Sequence, residues 1–287
     1  MSGLTLRTPA KINLCLSVLG KRPDGYHDVE MLMQAVGLYD VVTVSLAGEG
    51  ITVQCDDNAV PGGEGNIAYK AAALMQALSG RNTGIRVEIK KSIPVAAGLG
   101  GGSSDAAAVL AACNRLMGLG LNRERLAEAG AKLGMDVPFF FYGPTALALG
   151  RGEILERIRP LDRFWVLLAN PGFETSTAWV YKNVNLGLTK KVDCNNIARL
   201  KIGQMALALH NDLETVVREA HPVIGGIEKS LLAQGALGAM MSGSGPTVFG
   251  IFDGEAACRE AARSLVSTGW RLYPAETLTE PLFAECR

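Results

Sequence analysis

Between Pro94 and Ser104 the chain reads Pro-Val-Ala-Ala-Gly-Leu-Gly-Gly-Gly-Ser-Ser, and this stretch constrains the fold more than any other. Ahead of it, Ile85–Lys91 alternates apolar and polar residues, as a strand with one buried face does. Behind it, Asp105–Met117 is alanine-rich and apolar almost all round, which predicts a buried helix that lets neighbours approach closely. A strand-loop-helix of this kind can aim successive backbone N–H groups at one point, where the helix N-terminus adds partial positive charge. Glycine is needed because side chains would block close approach, and a positive φ can be required as well. The arrangement suits a polyphosphate; a flexible or tightly packed turn is the plainer alternative. No Gly-Lys-Ser/Thr closes the loop, so it is not a Walker A loop. Ser103 stands where a dinucleotide fingerprint has its last glycine.

The segments around the loop predict an α+β chain. From Leu4 to Val18 apolar residues keep one parity, broken only by Thr8, while Thr5, Arg7, Lys11, Asn13 and Ser17 take the other. That is a strand with Lys11 and Asn13 on one polar side, and Pro9 argues for an edge or a bulge. Gly20–Gly25 reads as a turn, followed by strand-like runs at Glu30–Val36, Asp40–Leu46 and Ile51–Cys55. Asn66 caps a helix over Ile67–Leu78, and Gly80 ends it. A polar helix near Arg123–Leu133 precedes a strand-like aromatic run after Pro138. Past Pro160 the pattern restarts: strand Phe164–Ala169, helix Pro222–Leu232, strands Ala239–Ser242 and Thr247–Phe252, helix Glu255–Ser267 and strand Trp270–Tyr273. This order is the split βαβ of ferredoxin-like folds. A boundary near Arg159 therefore divides a nucleotide-binding domain, 1–159, from a ferredoxin-like domain, 160–287, with the active site between them.

Composition narrows the partners. The 287 residues carry 28 Lys plus Arg against 28 Asp plus Glu, so the net charge is zero and no electrostatic footprint for nucleic acid or an anionic membrane is present. A small-molecule substrate is expected instead. Cys15, Cys55, Cys113, Cys194, Cys258 and Cys286 are dispersed, without CxxC pairs or zinc spacing, and read as free thiols in a reducing cytosol. Arg7, Pro9, Lys11 and Asn13 interrupt any secretory core, and no apolar run is long enough to span a bilayer. The expectation is a cytoplasmic protein, monomeric or homodimeric.

Three segments, Pro9–Leu14, Pro94–Ser104 and Ser242–Thr247, together resemble the three motifs of the GHMP kinase superfamily. Within it, Gly20-Lys21-Arg22-Pro23-Asp24-Gly25-Tyr26-His27 resembles one branch, which acts on cytidine diphosphate methylerythritol in the non-mevalonate route to isoprenoid precursors. The resemblance implies ATP as phosphoryl donor, held by Pro94, Val95, Ala96, Ala97, Gly98, Leu99, Gly100, Gly101, Gly102, Ser103 and Ser104, with Asn66 near the base. It implies Asp136 as general base and Lys11 as its support. Tyr26, His27 and Tyr181 would hold cytosine, with Asn13 on the methylerythritol part. Thr175 and Ser176 either do likewise or cap a helix. Mg2+ is implied by the chemistry; its ligands stay open, with Ser103 or Ser104 as candidates.

Without the resemblance the residues are less specific. Asp136 could serve a turn, Lys11 a solvated strand face, and Tyr26 and His27 an ordinary loop. Asp105 reads as a structural carboxylate at a helix start, and His210 and His221 as structural too. Another GHMP small-molecule kinase, of homoserine or mevalonate type, is the first rival. A non-catalytic nucleotide-binding module is the second, and a Rossmann dehydrogenase is disfavoured by the missing third glycine.

Overall fold

In a computed structural model, residues 3–280 and 282–283 are described, so Cys286 lies outside the described residues. Strands β1 (Gly3–Lys21) and β2 (His27–Leu46) form a long antiparallel pair, followed by β3 (Ile51–Cys55), α1 (Ile67–Ser79) and β4 (Ile85–Lys90). Next come α2 (Gly101–Met117), α3 (Arg123–Ala131), α4 (Phe139–Tyr142), β5 (Thr145–Leu149) and β6 (Ile154–Arg157). The remainder holds β7 (Trp165–Asn170), α5 (Thr177–Asn183), α6 (Cys194–Ile197), α7 (Ile202–Leu207), β8 (His210–Asn211), α8 (Glu214–Ala220), α9 (Val223–Ala233), β9 (Gly238–Met241), β10 (Val248–Phe252), α10 (Glu255–Ser264) and β11 (Arg271–Glu276).

Two sheets organise the described residues. The first runs β3-β4-β2-β1-β8, with β5 and β6 added along β2; the second runs β11-β7-β10-β9. The second is antiparallel throughout, and its order is that of the ferredoxin-like split βαβ. The last strand of the first group, β6, ends at Arg157, and β7 opens the second sheet at Trp165. Strand β8 crosses back, pairing in parallel with β1 at Cys15 and Leu16, and Thr277 bridges to Val36 of β2.

Helix α2 explains why the first sheet can close over a polar loop. Its residues from Ala106 to Ala112 are buried, and the small side chains of its five alanines there let α1 approach through Ala68, Ala71, Ala72 and Met75. Removing so much methyl surface from water stabilises the pairing at roughly 25 cal/mol per Å2.

Four expectations are corrected. The runs at Glu30–Val36 and Asp40–Leu46 are one strand, β2, because its first half pairs with β5 and its second with β4. Helix α2 begins at Gly101, four residues before Asp105: Gly100 is left-handed at φ 71°, and the Ser104 N–H already donates to its carbonyl (2.9 Å). The aromatic run Phe139–Tyr142 is a helical turn, since a short continuous apolar run does not separate helix from strand by period. Cys15 and Cys194 form a disulfide, their Cα atoms 5.5 Å apart although 179 residues separate them in sequence. Segment 190–212 lies against β1 and β2, with the Cys194 N–H donating to Glu30 Oε1 (2.8 Å) and the Val18 N–H to Asp212 Oδ2 (2.7 Å). Cys55, Cys113 and Cys258 are free. Among the described residues no helix is long and apolar enough to cross a membrane.

Candidate active site

Strand β1 supplies the centre of the site because its register shifts twice where it passes the glycine loop. Bulges fall between Pro9 and Ala10 and between Asn13 and Cys15, as Pro9 foretells, and they bracket the segment carrying Lys11 and Asn13. Neither side chain is solvated: Lys11 is 4% and Asn13 1% exposed. Lys11 Nζ donates to Asn13 Oδ1 (2.7 Å) and lies 3.5 Å from Asp136 Oδ2. Asp136 arrives from the turn between α3 and α4, 125 residues later in the chain, and its carboxylate remains partly open to solvent.

The glycine loop is fastened to β1 and to the third motif. The Lys11 N–H donates to the Leu99 carbonyl (2.9 Å). Ser242 Oγ accepts from the Asn13 N–H (3.3 Å) and donates to the Gly98 carbonyl (3.0 Å). Gly98 has φ 76°, and a Cβ there would sit 2.1 Å from the Ser242 carbonyl oxygen. At Gly100, φ 71°, a Cβ would meet Lys11 Cγ at 2.9 Å. Both positions are closed to a side chain twice over, by backbone conformation and by space. The start of α2 then leaves the amides of Gly101, Gly102 and Ser103 ahead of the first intrahelical donor, the Ser104 N–H, where an anion can take them.

These parts face one cavity of about 1110 Å3. Pro94–Gly98, Gly100–Ser103 and Asn66 line it, as do Lys11, Asn13, Tyr26, His27, Asp136, Thr175 and Tyr181. Two expected contacts do not face it. Leu99 is buried in the core. Ser104 is also buried, its hydroxyl donating to the Pro9 carbonyl (2.7 Å) and paired with Thr8 Oγ1. Asn66 caps α1 as expected, accepting from the Ala68 N–H (2.8 Å). Thr175 and Ser176 divide the two roles left open for them. Ser176 caps α5, whereas Thr175 Oγ1 donates to the Ser244 carbonyl (2.8 Å) at the cavity wall. His210 pairs with Asp212 (3.0 Å) and His221 stacks on Phe173, both away from the cavity lining.

One end of the cavity is aromatic. His27 and Tyr181 stack with ring centroids 5.3 Å apart and planes 26° from parallel. Burial, and then the nearby Lys21, push the His27 pKa below its ordinary 6.5, so the imidazole is neutral at pH 7 and keeps one accepting nitrogen. Burial, and then the charge on Asp136, push the Tyr181 phenol up, so it stays protonated.

A charged cluster beside the loop was missed from sequence. Lys91 ion-pairs with Asp105 (2.7 Å) and with Asp40, and all three are buried. Asp40 also accepts from the Ser92 (2.6 Å) and Ile93 (2.8 Å) N–H groups, tying the end of β4 to β2. Burial opposes the Lys91 charge, but the two carboxylates outweigh it and its pKa rises. Asp105 is pushed up to about 7, by burial first and by Asp40, against the pull of Lys91. Asp105 thus makes an ion pair with Lys91 beyond any part in the helix dipole, and both residues also line the cavity. Arg151 and Lys21, also on the cavity wall, carried no sequence signal beyond their charge.

A strand-to-helix anion cradle beside a lysine–carboxylate pair, on two sheets of this topology, defines a small-molecule phosphotransferase. The chain matches the GHMP kinases N terminal domain over residues 66–144 and the GHMP kinases C terminal domain over 195–270. It belongs to the GHMP kinase family. Its relatives include the 4-diphosphocytidyl-2-C-methyl-D-erythritol kinase of Geobacter metallireducens, 51% identical over 274 residues, 94% of this chain and 97% of that protein. The enzyme of the same name from Pelobacter propionicus is 50% identical over 97% of this chain and all of its own length. A crystal structure of 4-(cytidine 5'-diphospho)-2C-methyl-D-erythritol kinase superposes with a TM-score of 0.83 at 33% identity, covering 96% of this chain and 99% of that one. Homoserine kinase from Cytophaga hutchinsonii shares the fold at a TM-score of 0.72 and 18% identity, covering 98% of this chain and 96% of its own.

Proposed function

We propose that this chain transfers the γ-phosphoryl group of ATP to the 2-hydroxyl of 4-diphosphocytidyl-2-C-methyl-D-erythritol, giving the 2-phosphate and ADP. The observation that carries this reading is that one cavity joins the Lys11–Asp136 pair, the glycine cradle and the His27–Tyr181 stack. Homoserine and mevalonate have no base for that stack to hold.

The amides of the loop and of the first turn of α2 hold the triphosphate and stay fixed as charge shifts onto the leaving diphosphate. Asp136 takes the proton of the substrate hydroxyl as its oxygen attacks the γ-phosphorus. Lys11, held by Asn13, orients the Asp136 carboxylate and balances charge on the transferring group. The γ-phosphoryl passes directly to the alcohol, and ADP leaves. Cytosine lies against the aromatic end, where neutral His27 offers an acceptor to its amino group.

Magnesium suits this donor set. Among the described residues no three His, Cys, Asp or Glu side chains cluster into a protein cage, and Mg2+ characteristically binds through phosphates, waters and one or two protein oxygens. Ser103, whose residue faces the cavity, would hold it, since the Ser104 hydroxyl is already engaged. When bound, the ion would supply positive charge that offsets the charge of the phosphates. The assembly is proposed to act in the cytoplasm, as a monomer or homodimer of an N-terminal domain, 1–159, and a C-terminal domain, 160–287.

A coupled ADP-release assay with three alcohols tests the reading. Turnover of the cytidyl substrate, with homoserine and mevalonate near background, is expected; turnover of homoserine alone would refute it.

A further inference from the structure

The transferred group and the cytosine ring account for the two ends of the cavity, but the substrate's diphosphate lies between them and needs its own partner. Arg151, on the turn between β5 and β6, lines the same cavity. Its guanidinium carbon sits 5.1 Å above the Tyr26 ring centroid. The next residue, Gly152, packs the turn toward the catalytic side: a Cβ there would lie 2.9 Å from Met31 Cε and 3.8 Å from the Cβ of Met135, the residue before Asp136. Arg151 thus bridges the rim that holds the base and the loop that carries the general base.

Its orientation is set by Glu153. The Arg151 N–H donates to Glu153 Oε2 (2.7 Å) and its Nε to Oε1 (3.0 Å), while the turn is pinned by the Val29 N–H donating to the Gly150 carbonyl (2.7 Å). The backbone and Nε are used, and among the described residues neither terminal guanidinium nitrogen has a hydrogen-bond acceptor. A planar fork with both outer nitrogens free matches a phosphate geometrically. The neighbouring acids hold hydrogen-bond partners of their own, although the Arg151 charge reaches Asp24. Asp24 accepts from Arg22 (3.2 Å) and from the Tyr26 N–H (3.1 Å), Asp28 is paired with Arg22 (2.6 Å), and Asp136 faces Lys11. Lys21, on the same wall, adds a second positive charge.

We propose that Arg151, oriented by Glu153, grips the diphosphate of the cytidyl substrate and makes the site select a nucleoside diphosphate ester over a nucleoside or a simple alcohol. This rests on the substrate class proposed above. Glu153 is a positioning residue: it fixes which edge of the guanidinium meets the phosphates and touches no substrate atom.

Calorimetric titration of CDP and of cytidine, with the ATP site saturated by a non-hydrolysable analogue, separates the possibilities. The wild-type protein is expected to bind CDP more tightly than cytidine. Arg151→Ala should weaken CDP by about ten- to hundred-fold, the range of a charge-assisted hydrogen bond, and cytidine by less than about three-fold. Arg151→Lys, which keeps the charge but not the fork, should fall between. Glu153→Gln should weaken CDP by a few-fold without affecting cytidine. Equal weakening of both ligands by Arg151→Ala would mean that Arg151 acts only through the Tyr26 ring, and would overturn the inference. Unchanged CDP affinity would overturn it too, leaving the substrate class standing. Failure of the wild-type protein to bind CDP would overturn both.

Discussion

The floor and the rim of the cavity are built on different principles. At the floor, Lys11, Asn13, Gly98 and Ser242 are joined by main-chain and hydroxyl hydrogen bonds, and Lys11, Asn13 and Ser242 are almost wholly buried. At the rim, Tyr26 is 51% exposed, and the contacts are ring faces and the flexible ends of charged side chains. Chemistry at a phosphorus centre needs fixed dipoles, so the floor is over-determined. Base recognition tolerates adjustment, so the rim is assembled from separate segments that each contribute one side chain. Changes at the floor should therefore cost turnover or stability. Changes at the rim should cost substrate affinity and little else.

The largest expected effect is at the floor. Asp136→Asn should lower kcat by about 100- to 10,000-fold, the range for a lost general base, with ATP affinity within a few-fold. Wild-type turnover in that variant would remove Asp136 from the mechanism. Next is Asp40→Ala, which leaves Lys91 with one carboxylate and frees the Ser92 and Ile93 N–H groups; urea denaturation should show a loss of about 3–5 kcal/mol. A loss below about 1 kcal/mol would mean that this cluster does not hold the loop's approach strand.

At the rim, Tyr181→Leu should weaken CDP binding by about 1–3 kcal/mol, the worth of one base–aromatic stack, with the melting temperature little changed. A kcat loss without an affinity loss would erase the distinction between the two regions. The smallest effect lies outside both. Burial, and then the Glu228 charge, push Glu214 up to about 7, so the folded protein holds a proton that the unfolded chain releases near 4.5. That contribution is fully present below pH 4.5 and is lost as pH rises through about 7. Glu228→Gln removes the second carboxylate, and the drop in melting temperature from pH 5 to pH 8 should shrink. An unchanged drop would show that the pair does not share the proton.

The floor was legible in the sequence because backbone requirements leave marks there. Glycines at positions 98 and 100, Pro9 at a bulge and Asn66 at a cap each answer a local constraint that few residue types satisfy. The ferredoxin-like order was legible for a similar reason, since it follows from the succession of strands and helices. What the sequence hid was decided by tertiary neighbours. Whether Glu30–Val36 and Asp40–Leu46 were two strands or one depended on β4 and β5 pairing along them. The start of α2 shifted because Gly100 turns left-handed under Lys11. Cys15 and Cys194 gave no spacing signal across 179 residues. Arg151 and Lys91 look like surface charges until the fold places them on the cavity wall, with Lys91 buried between two carboxylates.

A crystal structure with a non-hydrolysable ATP analogue would probe the shared foundation of these statements. The phosphates should lie within hydrogen-bond distance of amides between Gly98 and Ser103, with the γ-phosphorus turned toward Asp136. A triphosphate bound elsewhere, with those amides facing water, would contradict the account.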